Sequence, residues 1–180
     1  HSGTARYGWL TMRPMSLWES GESNGSVSLA ELFKLQGQIG STNDLTLEQI
    51  AFLVCRGGWP KSISKKSEKA ALMQAIEYYE AVIRSDISRV DNVQRDEERA
   101  KRLMRSYARH QGTQTSVATI LTDIVTNEAE EISDETITSY LKALKQIFVI
   151  EDMPAWNPNI RSKTAIRTSD TKYFVDPSIA

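Results

Sequence analysis

ISDETITSYLKALKQIFVIEDMPAW, residues 132–156, reads as a helix, then a strand, then a Pro-Trp bend. Ser133 stands at an N-cap position, with Asp134 and Glu135 in the first turn, where negative charge complements the helix dipole. Ile137, Tyr140, Leu141, Leu144 and Phe148 recur at helical spacing and predict the buried stripe. Strand signals follow at 148–151 and 172–175, and the loop between them carries Pro154, Pro158, Arg161, Lys163 and Arg167. Whether this helix enters a DNA groove or only holds a domain together separates a regulator from a part of a larger machine or a scaffold.

Upstream, Asp96 caps a helix running to about His110, with Ala100, Leu103, Met104 and Tyr107 on its apolar face. Arg99, Arg102, Arg105 and Arg109 lie nearly opposite that face. Thr115 or Ser116 caps the next helix, which carries Val117, Ile120, Leu121 and Ile124. From Asp96 onward the order is helix, helix, helix, strand, basic loop, strand. That is the element order of a winged helix-turn-helix, with the last helix in the recognition slot and the hairpin as wing.

The charge count argues against DNA. From Thr113 to Ala180 six basic residues face ten acidic ones, a net of −4, whereas DNA affinity comes largely from neutralising phosphates. Two features push the other way. Arg161, Lys163, Arg167 and Lys172 cluster around the wing against one acid, Asp170, and the stripe 99, 102, 105 and 109 precedes it. Together they are the candidate nucleic-acid contacts. The plainer reading, a solvated face and a structural hairpin, is favoured.

The first half is also helical. Residues 6–12, RYGWLTM, carry a strand signal that Arg13-Pro14 ends. Ser28 to Glu31 and Thr46 to Gln49 are capping-box spacings. The second opens a helix with Leu47, Ile50, Ala51 and Val54 on one face, closed by Gly57 and blocked by Pro60. A long helix is expected over 68–88, with Leu72, Ala75, Ile76, Tyr79, Val82 and Ile83 at helical spacing.

With 180 residues, 40% hydrophobic and 25% charged, the chain has the composition of a soluble globular protein. No apolar run approaches a membrane span, the lone Cys55 permits no internal disulfide, and a reducing cytoplasm is the default location. The start has no initiator Met and no signal pattern, as expected of a piece of something longer.

Catalytic motifs are missing. Gly57-Gly58-Trp59-Pro60-Lys61-Ser62 lacks P-loop spacing and reads as a helix stop. There is no Gly-x-Ser-x-Gly, His-Glu-x-x-His or Cys-x-x-Cys. His110 suits a helix C-terminus, Glu128-Ala129-Glu130-Glu131 a solvated turn, and Asp86 a salt bridge to Arg84 or Arg89. No catalytic or metal-ligating residue is assigned.

Several segments fit one pattern in order. GTARYGWLTMRPMSLWE (3–19), CRGGWPKS (55–62), YYEAVIRSDISRV (78–90), TITSYLKALKQIFVIEDMPAW (136–156) and KYFVDPSIA (172–180) resemble the region after the Walker motifs in a bacterial and archaeal family. These are AAA+-like P-loop ATPases with a C-terminal winged-helix domain of unknown function. The resemblance implies the tail of an α/β ATPase domain at 1–44, a helical lid or linker at 45–92 and a winged helix at 93–180. The fold class expected is therefore mainly α with a little β. It also implies an ATPase domain upstream as partner, with ATP and magnesium bound there and no cofactor in this chain. Arg6 and Arg56 become candidate sensors of the terminal phosphate, a structural salt bridge being the alternative for each. The implied role is to couple nucleotide state to a protein or nucleic-acid partner, without ATP hydrolysis by this fragment. The alternatives are a stand-alone winged-helix DNA-binding regulator and a dimerising protein-interaction module.

Overall fold

Four short polar side chains start helices as their spacing predicts. A computed structural model describes residues 8, 10–34, 40–128, 132–154 and 169–180. Ser28 caps α1 (Leu29–Phe33), Thr46 caps α2 (Leu47–Arg56), Asp96 caps α6 (Glu97–Arg109) and Ser133 caps α8 (Asp134–Gln146). Each accepts a hydrogen bond from the amide three residues on, satisfying a donor that has no partner inside the helix. At Thr46 the capping box is complete, because Gln49 Oε1 accepts the Thr46 amide at 2.8 Å. Between these helices lie α3 (Pro60–Ile63), α4 (Glu68–Ala81), α5 (Ile87–Arg89) and α7 (Val117–Glu128). Pro60 therefore opens a helix rather than merely blocking one, since its missing N–H costs nothing at the first helical position.

The core lies where α6, α7 and α8 meet the end of the α4 segment. Leu103, Ile120, Ile137 and Leu144 are all fully buried, and each contributes about 1.5–3 kcal/mol by leaving water. The helix expected over 68–88 is interrupted by a π-turn, Val82–Asp86. Ala71, Ala75 and Val82 follow α-helical spacing, and the wide turn then steps over Asp86 so that Ile87 enters the core. Arg95 ties the halves together. Its buried guanidinium holds Asp91 Oδ1 at 2.7 Å and Oδ2 at 2.8 Å, the Ile87 carbonyl at 2.6 Å and Ser139 Oγ at 3.1 Å. The Arg95 hydrogen bonds hold the Asp91 carboxyl down at about 2.

Several expectations are corrected. Among the described residues of 1–44 there is no strand; Leu10 and Met12 are exposed and irregular. The α2 face Leu47, Ile50, Ala51, Val54 points to solvent, and Leu53 and Arg56 turn inward instead. Ile76 is exposed, because apolar and polar residues are mixed around α4 and their spacing does not single out one face. The segments 149–153 and 171–175 pair antiparallel through isolated bridges, Ile150 with Phe174 and Met153 with Thr171, not as ladders. The loop residues 155–168, with Arg161, Lys163 and Arg167, lie outside the described residues.

Phe148 departs most from the buried stripe. It is 66% exposed, with φ +57°. The Val149 amide bonds the Leu144 carbonyl at 2.9 Å and the Phe148 amide bonds Lys145 at 3.1 Å, the two bonds of a Schellman helix end. Phenylalanine thus occupies the left-handed position where glycine is at home, at a cost of about 1 kcal/mol.

Candidate functional site

The sequence that ends α2 forms half of a latch. Gly57 has φ +69° and ψ −176°, a conformation essentially reserved for glycine. Gly58 lies against the chain at Met15, whose amide donates to the Gly58 carbonyl at 2.7 Å. A Cβ on Gly58 would sit 2.1 Å from the Met15 oxygen. The other half is Asp176, 2% exposed, at the start of the closing turn Pro177–Ile179. Its Oδ2 accepts the Gly58 amide at 2.7 Å, and Oδ1 accepts the Ser178 amide at 2.9 Å and hydroxyl at 2.6 Å. Trp59 Nε1 donates to Ser178 Oγ at 2.9 Å, and its ring packs on Tyr78 at 4.3 Å between centroids. Two segments far apart in sequence, 57–59 and 176–178, are locked together.

Beside the latch is a saturated carboxylate. Asp152 Oδ2 accepts from Lys145 Nζ and Lys172 Nζ, each at 2.7 Å, and Oδ1 accepts the Tyr107 hydroxyl. Burial pushes the Asp152 carboxyl up, but the hydrogen bonds from Lys145, Lys172 and Tyr107 hold it below the usual carboxylate range. Burial, then the bond to Asp152, raises Tyr107. Arg13 pairs with Glu151 in front of this cluster. A cleft of about 560 Å³ runs between these ion pairs and the aromatic wall of Trp59 and Tyr78. With both oxygens of Asp152 occupied, the cluster positions neighbours and offers no free base.

The shifts set the pH limits of the fold. The Asp152 contribution is fully present above the unfolded carboxylate value near 3.9 and is lost as pH falls through its lower folded value. Tyr107 acts at the other end: the unfolded phenol ionises near 10 while the folded one stays protonated, so stability falls above about pH 10. Urea unfolding from pH 7 toward pH 3 is expected to steepen below about pH 4, and Asp152→Asn to shallow that limb. An unchanged acid limb refutes the assignment.

The candidate cations are mostly committed within the molecule. Arg56, 6% exposed, holds Glu22 Oε1 at 2.6 Å and its own neighbour's carbonyl, Gly57 O, at 3.1 Å. Arg105 holds Glu128 at 2.7 Å; Arg109 reaches Asp123 at 2.6 Å and Glu128 at 3.1 Å. Arg99 and Arg102 are engaged as well. Lys172 is buried against Asp152. Asp86 pairs with Arg89 at 3.9 Å, whereas Arg84 turns to Glu80 at 2.9 Å. Arg6, like the cations of the basic loop, lies outside the described residues. No group of three or more metal-ligating side chains occurs among the described residues. No helix among them is long and apolar enough to cross a membrane.

A second groove, about 670 Å³, lies between the start of α7 and the end of α8. Val117, Leu141 and Phe148 supply its apolar lining, and Lys142 and Lys145 its charges. Sequence spacing missed it because Phe148 was expected inside.

One family model, described as a domain of unknown function (DUF8612), matches residues 47–180. No curated protein and no solved structure matches the chain.

Proposed function

We propose, given that this chain belongs to the DUF8612 family, that it is a non-catalytic relay, a helical module that passes the nucleotide state of an AAA+-like P-loop ATPase to a protein partner. The observation that carries this reading is the commitment of the cations. Arg56, Arg105, Arg109 and Lys172 each have a carboxylate of the same molecule within 2.7 Å. Among the described residues, these four candidate cations thus face carboxylates of the molecule rather than phosphates. Meanwhile Leu29, Phe33, Leu47, Ile50 and Val54 present apolar side chains to solvent, as protein-binding surfaces do.

Other features support the same reading. The glycine turn and the Asp-Pro motif that carry the family resemblance meet in the latch, which joins 45–92 to 93–180. The order α6, α7, α8 followed by antiparallel pairing of 149–153 with 171–175 is that of a winged helix. Leu10 and Met12, uncovered here, suit a segment that packs in another unit. On this reading ATP and magnesium belong to an ATPase domain, Arg6 is the residue left to sense its phosphate, and Arg56 acts by holding the end of α2. The DNA-binding alternative fares worse, because exposed Asp134 and Glu135 open the helix that would enter the groove.

The test is direct. Purified chain with ATP and magnesium is expected to release no phosphate above the blank, and labelled duplex DNA is expected not to bind at physiological salt. Upstream of His1, in frame, a Gly-x-x-x-x-Gly-Lys-[Ser/Thr] loop is expected. Turnover at an enzymatic rate, duplex binding that weakens steeply with salt, or a stop codon in that frame overturns the relay.

A further inference from the structure

We propose that the groove between the start of α7 and the end of α8 docks an acidic amphipathic segment of a partner protein, with Phe148 as its anchor. The first observation is conformational. A phenylalanine holds the left-handed position of a Schellman helix end, where glycine would relieve the backbone, and its ring is 66% exposed. The fold gains little from a ring that is two-thirds in water, so the strain is maintained for something the ring meets outside. That ring lines both the groove and the neighbouring cleft.

The second observation is charge. The groove is lined by Val117, Leu141 and Phe148 together with Lys142 and Lys145, and no carboxylate lines it among the described residues. Lys142 is exposed and has no ion-pair partner among the described residues. Lys145 turns its ammonium to Asp152, which it shares with Lys172, so Lys142 is the cation the groove offers a partner. An apolar floor between cations fits a segment with bulky apolar side chains flanked by Asp or Glu, laid in helix-in-groove fashion. Nucleic acid fits less well: its phosphates would gain Lys142 but meet Asp134 and Glu135 at the other end of α8. A groove of about 670 Å³ is in the range of ligand sites. The proposal goes beyond the relay and does not depend on it: the same groove would serve a free-standing module.

A random peptide library displayed on phage is panned on the whole chain, and the enriched sequence is synthesised with a fluorophore for anisotropy. The enriched peptides are expected to carry Leu, Ile or Phe beside Asp or Glu. Phe148→Gly and Lys142→Glu should each weaken binding about tenfold or more, the range of an interface anchor, and replacing the peptide's acids by lysine should abolish it. Phe148→Gly should melt no lower than the wild type, which separates a recognition role from a structural one. The proposal is overturned if no peptide is enriched, if the enriched peptides are basic, or if they bind Phe148→Gly as they bind the wild type. It is equally overturned if Phe148→Gly melts lower, or if labelled duplex DNA binds in a manner lost on Lys142→Glu.

Discussion

Gly57→Ala is expected to lower the melting temperature by about 10 °C, from a loss of roughly 3–5 kcal/mol. Two effects coincide there. The backbone sits at φ +69° and ψ −176°, where a side chain costs about 1–3 kcal/mol. The added Cβ would also fall 2.2 Å from Asp176 Oδ1 and 2.5 Å from Ser178 Oγ, atoms held by the hydrogen bonds of the latch. Asp176 cannot retreat without releasing the Gly58 amide, which would then be buried without an acceptor, and Ser178 Oγ cannot without giving up Asp176 and the Trp59 indole. Gly21→Ala is the control. Gly21 has φ +89° with nothing within 4 Å of the added carbon, so that variant measures the backbone penalty without the collision. Equal melting of the two variants by calorimetry removes the latch from the account.

Asp152→Ala is the second large effect, about 3–5 kcal/mol by urea denaturation. The substitution strips the acceptor from Lys172, whose side chain is 10% exposed, and from the Tyr107 hydroxyl at once. A buried ammonium without a counter-charge is what makes breaking such a cluster costly, even where the intact cluster adds little net stability. Lys172→Met separates these ideas. It leaves Asp152 with Lys145 and Tyr107, so it should cost much less. If the two substitutions cost the same, Asp152 is not the centre of the cluster.

The helix starts were legible because capping is local chemistry: a hydroxyl or carboxylate reaches an amide three residues away, and spacing alone reveals it. The α6 stripe Ala100, Leu103, Met104 and Tyr107 was legible for a similar reason, being the apolar side of an otherwise charged helix, and all four are buried. At α2 the same reasoning chose the wrong face. The helix is short, and its inward side is set by Glu22, which draws Arg56 in, from far along the chain. Long-range partners also decided the cations. The acids that neutralise Arg105 and Arg109 stand on the next helix, at 123 and 128, and periodicity within α6 carries no trace of them. Each half of the latch was visible as a motif, but nothing in either half announces the other. Helical spacing places Phe148 inside because it assumes that the helix continues, whereas α8 ends at Gln146, two residues earlier.

The π-turn at Val82–Asp86 gives this protein one place where its length is negotiable. The wide turn houses one residue more than an α-helical path between Val82 and Ile87 would need. Losing Ser85, half in water, would let the turn tighten to ordinary pitch while Ile87 and Val90 kept their inward bearing. The same loss inside α6 or α8 would swing every later side chain by about 100° and scatter the core. Evolutionary gain or loss of a single codon is therefore accommodated here and resisted inside α6 and α8.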